Sequence, residues 1–284
     1  MTETMHSTTS NTLKVPGATL YYEIQGSGPV LMMIPGGPAD AGIFAGVARY
    51  LADRYTVVAY DPRGNSRSTF DGTPEEQDLD VHGDDAARLI EALGGEAAYV
   101  LGSSGGAQIG LNLAARHPEL VRTLVAHEPP CLKLLPDSSE VLAGMQEIYD
   151  TYRQKGVGPA MQKFAEFTGL NGGSRQQHGP PQAQPTPEAS EAFARMGGNL
   201  DYFLAHGLRP ISYSVPDVEA LRAAPARVVV GIGEDSEGQL ACRSAIALAA
   251  KLVTEPVVFP GDHGGYGAHP DTFAETLHRV LRGD

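Results

Sequence analysis

The chain predicts an α/β architecture: a mostly parallel sheet with helices on both faces and a helical insertion late in the order. Three observations carry this. Short apolar runs that read as strands alternate with helical patterns over residues 17–130 and again from 225 onward. One of these strands runs through Gly102-Ser103-Ser104-Gly105-Gly106 directly into a helical pattern. Between the two alternating stretches, residues 131–224 hold helical patterns and no convincing strand. Strands joined through helices lie parallel in a sheet buried on both sides, and ligands of such sheets bind beyond the carboxyl ends of the strands.

In order, residues 17–25 alternate as a strand, broken by Gly26-Ser27-Gly28-Pro29. The continuous apolar run 30–34 is a strand buried on both faces, followed by the tight loop Pro35-Gly36-Gly37-Pro38. A helix is expected over 41–53. The next buried strand, 56–60, ends in Asp61-Pro62-Arg63-Gly64-Asn65-Ser66-Arg67-Ser68. A helix over 78–93 leads to the strand 97–101, the glycine-rich turn and a helix over 107–116. The strand 120–126 ends in His127-Glu128-Pro129-Pro130. Helical patterns then cover 138–155, 158–167, 188–196 and 200–207, with a Gly-, Gln- and Pro-rich stretch at 171–187 that reads as a flexible loop. The sheet resumes with a strand at 226–232, a helix at 239–252, a strand at 256–259, the loop Pro260-Gly261-Asp262-His263 and a terminal helix at 270–282. The expected organisation is a flexible tail at 1–12, a core domain at 13–130 and 225–284, and a helical cap at 131–224.

Several function classes are disfavoured by composition. A formal net charge of −13 over 284 residues opposes nucleic acid as a partner, because phosphate binding needs a basic surface. No apolar run approaches a membrane span, and residues 1–11 are polar without the features of a signal peptide. Cys131 and Cys242 stand in no metal or redox spacing and read as packed thiols in a reducing cytoplasm.

Chemistry concentrates at Gly102-x-Ser104-x-Gly106. Between a buried strand and a helix, this spacing puts Ser104 on a sharp, strained turn with its hydroxyl raised above the sheet. Gly102 and Gly106 leave room that a Cβ would fill. The helix opening at Gly105 aims free N–H groups at charge developing beside the serine, which makes Gly105 a candidate oxyanion donor.

With these loops in view, the chain resembles the α/β-hydrolase fold superfamily over nearly its whole length. The resemblance rests on Pro35-Gly36-Gly37-Pro38, on Asp61-Pro62-Arg63-Gly64-x-Ser66-x-Ser68, on Gly102-x-Ser104-x-Gly106 and on Gly261-Asp262-His263. It implies an eight-stranded, mostly parallel sheet with an inserted helical cap, a serine nucleophile and no cofactor or metal. Gly37 matches the family position whose N–H completes the oxyanion hole. Two departures stand out: Pro35 replaces the usual histidine, so the loop must be anchored differently, and Ser66 occupies a position where glycine is usual.

A serine hydroxyl needs a base to take its proton. Of nine histidines, His263 follows the serine in chain order and lies in a glycine-rich loop past the last strand, as this fold requires. The orienting acid is less direct. The family commonly places it after the strand 226–232, but aligning Gly233 with the family glycine puts Ser236 at the acid position and leaves Glu234 and Asp235 off register. Glu128 ends the strand that follows the nucleophile strand and should emerge at the same sheet edge; some haloalkane dehalogenases and lactone hydrolases of the fold place their acid similarly. Glu128 is preferred, with Glu234 and Asp235 as alternatives. The expected function is hydrolysis of a medium-sized, largely apolar carboxylic ester or lactone, with neither nucleic acid nor membrane as partner; a homodimer is compatible with the sequence. Cofactor-free perhydrolase or oxygenase chemistry and non-catalytic ligand binding remain the alternatives.

Overall fold

The computed structural model describes residues 7–170 and 187–283. Its sheet runs β1 (Thr9–Val15), β2 (Ala18–Gly26), β4 (Thr56–Tyr60), β3 (Val30–Ile34), β6 (Ala98–Ser103), β7 (Val121–His127), β8 (Arg227–Gly233), β9 (Val257–Phe259), with the two-residue β5 (Thr69–Phe70) beside β2. β1, β2 and β5 pair antiparallel, and every pairing from β4 to β9 is parallel. The sheet therefore has nine strands, eight of them along one path.

Successive residues of each central strand serve opposite faces, as the two-residue period dictates. Met32 and Ile34 pack with Val58, Val100, Leu124 and Val230 beneath α2 (Leu79–Ala92), α3 (Gly105–Arg116) and, further along the chain, the helix carrying Leu248. Leu31 and Met33 pack on the other side with Val57, Leu101, Val125 and Phe259 against α1 (Ala45–Leu51) and the terminal helix through Leu277. Such double burial is what produced the continuous apolar runs in the sequence.

Between β7 and β8 come α4 (Ser138–Lys155), α5 (Val157–Thr168), α6 (Pro187–Tyr202), α7 (Leu208–Tyr213) and α8 (Val218–Ala223). Val141, Met145, Ile148, Phe203, Leu208 and Ile211 share a core of their own. The chain closes with α9 (Leu240–Leu252), α10 (Gly265–Ala268) and α11 (Pro270–Arg282). Among the described residues no helix is long and apolar enough to cross a membrane.

The structure departs from the sequence expectations in two places. Residues 9–12, expected within a flexible tail, belong to β1, which pairs with β2 from Thr9↔Ile24 to Val15↔Ala18. This edge strand is exposed along most of its length, so it lacks the apolar alternation that marks a strand. The helical patterns at 188–196 and 200–207 belong to one continuous run, because α6 passes through Gly197-Gly198 and continues as a π-helical turn, Phe203–Gly207, into α7. A glycine pair costs roughly 1 kcal/mol per residue in a helix interior, which is why the sequence reads as interrupted there. The loop expected at 171–187 lies outside the described residues, apart from Pro187 at the start of α6.

Register aligns the loops that matter. Ile34 pairs with Gly102, Ser103 with His127, His127 with Gly231 and Gly233 with Phe259. The residues after these positions leave the sheet at one edge: Pro35 to Pro38, Ser104, Glu128, and the loops after β8 and β9.

Candidate active site

Ser104 sits between the end of β6 and the start of α3 with φ 56° and ψ −124°, a conformation a non-glycine residue adopts only when its surroundings enforce it. Enforcement comes from both flanks. A Cβ on Gly102 would stand 2.4 Å from the Gly106 carbonyl oxygen, and one on Gly106 would stand 2.1 Å from that of Ile34. The Ser104 N–H donates to the His127 carbonyl at 2.9 Å, tying the turn to the neighbouring strand.

The Pro35 to Pro38 loop crosses directly over this turn. A Cβ on Gly36 would lie 2.7 Å from Ser104 Cβ and 2.8 Å from the Gly105 nitrogen, so the approach requires glycine. Gly37 has φ 54°, and its nitrogen lies 3.3 Å from where a Cβ on Gly105 would be. The Gly37 and Gly105 nitrogens thus lie near one another beside Ser104, and among the described residues neither N–H donates to a protein acceptor. In place of a histidine at 35, the loop is anchored by Asn65, whose Nδ2 donates to the Gly37 carbonyl at 3.0 Å and the Ala39 carbonyl at 2.9 Å.

His263 and Glu128 meet across 135 residues of chain, with Nδ1 2.5 Å from Oε2. Glu128 is fully buried, in a left-handed backbone conformation (φ 49°), and its Oε1 accepts the Gly233 N–H at 2.9 Å. Burial pushes this carboxyl up, but the His263 hydrogen bond and charge, with His127 and Ser236, outweigh it and hold the group below its ordinary value. Occupation of Nδ1 by a carboxylate leaves Nε2 as the free nitrogen of His263, the arrangement a general base needs.

The other candidate acids do not reach the imidazole. Glu234 is exposed and its Oε1 accepts the Gly261 N–H at 3.3 Å, which braces the histidine loop. Asp235 is exposed and enters the same loop through its own N–H, bonded to the Gly261 carbonyl at 3.0 Å. Ser236, at the family's usual acid position, is fully buried; its hydroxyl has no partner of normal geometry and is free to turn toward Glu128.

The model of the family described as alpha/beta hydrolase fold matches residues 29–194. The chain belongs to the α/β-hydrolase family. It is a hydrolase of that family, 37% identical over 278 residues to the uncharacterized hydrolase YraK of Bacillus subtilis, with 96% of each chain covered. It is also 30% identical over 275 residues to a zearalenone hydrolase of Bionectria ochroleuca, covering 94% of this chain and 96% of that one. A thermophilic esterase from Thermogutta terrifontis shares the fold at a TM-score of 0.72 and 19% identity, with 98% of both chains covered. A hydrolase from Pseudomonas aeruginosa does so at 0.73 and 21%, covering 97% of this chain and 98% of that one.

In this α/β hydrolase, Ser104, Gly37, Gly105 and His263 line one cavity of about 1660 Å³. Its wall on the side of the inserted helices is apolar: Met145, Met161, Phe164, Met196, Phe203 and Ile211. Sites for small ligands typically measure about 300–1,000 Å³, so volume does not restrict the site to short esters. Ser212 also lines it and is 4% exposed.

Sequence reasoning did not assign a role to His127. Its ring is fully buried between Phe259 and Phe273, at 5.5 Å from each, and 6.5 Å from His263. Burial pushes its pKa down to about 4, so it stays neutral beside Glu128 at physiological pH. Asn65 had no local signal either: what selects it is a pair of carbonyls on a loop remote in sequence.

Proposed function

We propose that the protein is a serine hydrolase that cleaves a medium-sized, largely apolar carboxylic ester or lactone through an acyl-enzyme on Ser104. The observation that carries this reading is the 2.5 Å contact of Glu128 with His263 in the cavity wall that also bears the strained Ser104. Glu128, held ionised by its partners, fixes the imidazole and stabilises the imidazolium. His263 Nε2 takes the Ser104 proton as Oγ attacks the carbonyl. The Gly37 and Gly105 N–H groups bind the tetrahedral oxyanion, and His263 returns the proton to the leaving alkoxide. A water activated by the same imidazole then releases the acid. Every step uses side chains and backbone of this chain, so no cofactor enters.

The carboxylate–imidazole contact favours catalysis over mere ligand binding, since it supplies an acid where the family's usual position after β8 holds Ser236. Ester and lactone fit because the wall that the inserted helices contribute beside Ser104 offers mainly apolar contact. Intact-mass analysis after exposure to a fluorophosphonate tests the nucleophile, with single labelling expected in wild type and none in Ser104→Ala. Hydrolysis of a panel of p-nitrophenyl esters, apolar lactones and zearalenone, for which one relative is named, tests the substrate class. A folded wild type that takes no label and turns over no member of the panel refutes the reading.

A further inference from the structure

The loop that presents the Gly37 N–H is held from the core by Asn65, and from the opposite side by α6. Asn199 Nδ2 donates to the Pro38 carbonyl at 2.7 Å and to Ser66 Oγ at 2.8 Å, while its Oδ1 accepts the Ser66 N–H at 2.8 Å. Both ends of the amide are engaged, and its orientation follows from its partners, because a carbonyl demands the donor end and an N–H the acceptor end. Ser66 holds φ 48°, a left-handed conformation tied down by these two bonds. One turn earlier on α6, Arg195 Nε donates to Asp40 Oδ2 at 2.5 Å. Asp40 is fully buried at the end of the same loop, and its Oδ1 accepts the Gly42 N–H at 2.8 Å. Burial raises the Asp40 carboxyl, yet Arg195, the Ser66 hydroxyl and the Gly42 N–H outweigh it and hold it below its ordinary value. Ser66, one of the two departures from the family pattern, thus belongs to the arrangement that holds this loop. The loop is fastened to the core through Asn65 and to a helix of the insertion through Asn199.

The same helix also faces the cavity. Ala192, Met196 and Leu200, at helical spacing with Asn199, line the cavity, and the Phe203 ring comes within 3.7 Å of where a Cβ on Gly37 would be. One continuous helical run, α6 and the π turn that follows it, therefore touches both the substrate space and the loop that bears an oxyanion donor.

We propose that Asn199, assisted by Arg195, is a positioning residue through which α6 sets the Gly37 N–H, so that apolar substrate packed against Met196 and Leu200 promotes the chemical step as well as binding. The inference rests on the Ser104 acyl-enzyme reading above. Binding energy remote from the reacting atoms appears in kcat when it is used to align catalytic groups. A longer acyl chain should then raise kcat in the wild type and not only lower KM.

The test is steady-state kinetics on p-nitrophenyl acetate, butyrate and octanoate for wild type, Asn199→Ala, Asn199→Asp and Ser66→Gly. A trifluoromethyl ketone serves as tetrahedral mimic, and melting temperatures check folding. Asn199→Ala is expected to lower kcat about 10- to 100-fold on butyrate and octanoate, as misplacing rather than deleting one donor does, with KM within about threefold. The gain of kcat with chain length should vanish, and the ketone should lose affinity by the same factor as kcat/KM. Asn199→Asp keeps the acceptor for the Ser66 N–H but turns a lone pair on the Pro38 carbonyl, so it should fall at least as far. Ser66→Gly retains that N–H and relieves the left-handed strain but removes the hydroxyl that accepts from Asn199; it should lose kcat by less than Asn199→Ala does. Asn199→Gln, which keeps the amide one methylene out of place, substitutes if the alanine variant does not fold. Unchanged kcat and ketone affinity in folded Asn199 variants that still take a fluorophosphonate label at Ser104 overturn the inference alone. A wild type that neither takes the label nor hydrolyses esters overturns the Ser104 reading and the inference with it.

Discussion

The loops after β7 and β8 both carry carboxylates toward the same sheet edge, yet they use them in opposite ways. After β7, Glu128 is fully buried, accepts a backbone N–H from Gly233 and contacts His263. After β8, Glu234 and Asp235 are exposed: the Glu234 carboxylate accepts from the histidine loop and Asp235 reaches it only through its own N–H, while the buried residue of the β8 loop is Ser236. What distinguishes an orienting acid from a surface carboxylate here is burial beside the imidazole with a second donor for its other oxygen. Position in the loop after a given strand does not decide it. A carboxylate can be ionised in a buried place only where hydrogen bonds and charge offset desolvation, and Glu128 has both.

The sharpest way to break this contrast is Glu128→Gln. The amide keeps an oxygen for the Gly233 N–H and the left-handed backbone, but it removes the charge facing His263 and no longer fixes the tautomer. We expect kcat on p-nitrophenyl butyrate to fall about 10³- to 10⁴-fold with the melting transition still cooperative. Loss of less than tenfold would move the orienting role elsewhere. A second variant sharpens it: Glu128→Gly with Ser236→Asp should be about 10- to 100-fold faster than Glu128→Gly alone, because a carboxylate is restored beside the imidazole from the other loop. No difference between the two would mean that the buried serine position cannot reach His263.

The sequence made the sheet legible because most strands are buried on two faces and announce themselves as apolar runs, and because the turn at Ser104 needs glycines at fixed offsets. It made Glu128 a candidate through its place one helix and one strand beyond Ser104, and the Ser103↔His127 register brings both to one edge. It did not reveal β1, whose polar, exposed residues are strand only by pairing with β2. Nor did it reveal Asn65, Asn199 or the unity of α6, since a side chain bonded to a remote backbone carbonyl leaves no periodicity. Position along the chain favoured Glu128 over Glu234 and Asp235; the contact with His263 depends on how three loops fold over the sheet edge.

His127 supplies a test through pH. Its folded pKa of about 4 lies below the ordinary 6.5, so between these values the unfolded chain binds a proton that the folded chain does not. Stability from this residue is full above about pH 6.5 and is lost as pH falls toward 4, by on the order of 3 kcal/mol for a shift of this size. Denaturant titrations of wild type and His127→Leu between pH 4 and 7 should show a steeper decline in the wild type. Parallel curves would mean that the buried ring finds a proton partner after all.

Glu234→Gln should give the smallest effect, and that smallness bears on the contrast between the two loops. Its Oε1 accepts one long hydrogen bond, 3.3 Å from the Gly261 nitrogen, at an exposed position, and glutamine offers an oxygen to the same donor. The Glu234 N–H, bonded to the Phe259 carbonyl at 2.9 Å, is untouched by the change. Exposed substitutions that preserve a hydrogen bond usually stay within about 0.5 kcal/mol, so kcat within about threefold of wild type and an unchanged pH profile are expected. If Glu234→Gln instead fell as far as Glu128→Gln, the carboxylate of the β8 loop would have to swing inward during turnover. The buried pair would then be a resting arrangement, and the double variant at 128 and 236 would gain nothing over Glu128→Gly. Measured side by side on one ester, the two single carboxylate variants decide which loop holds the acid.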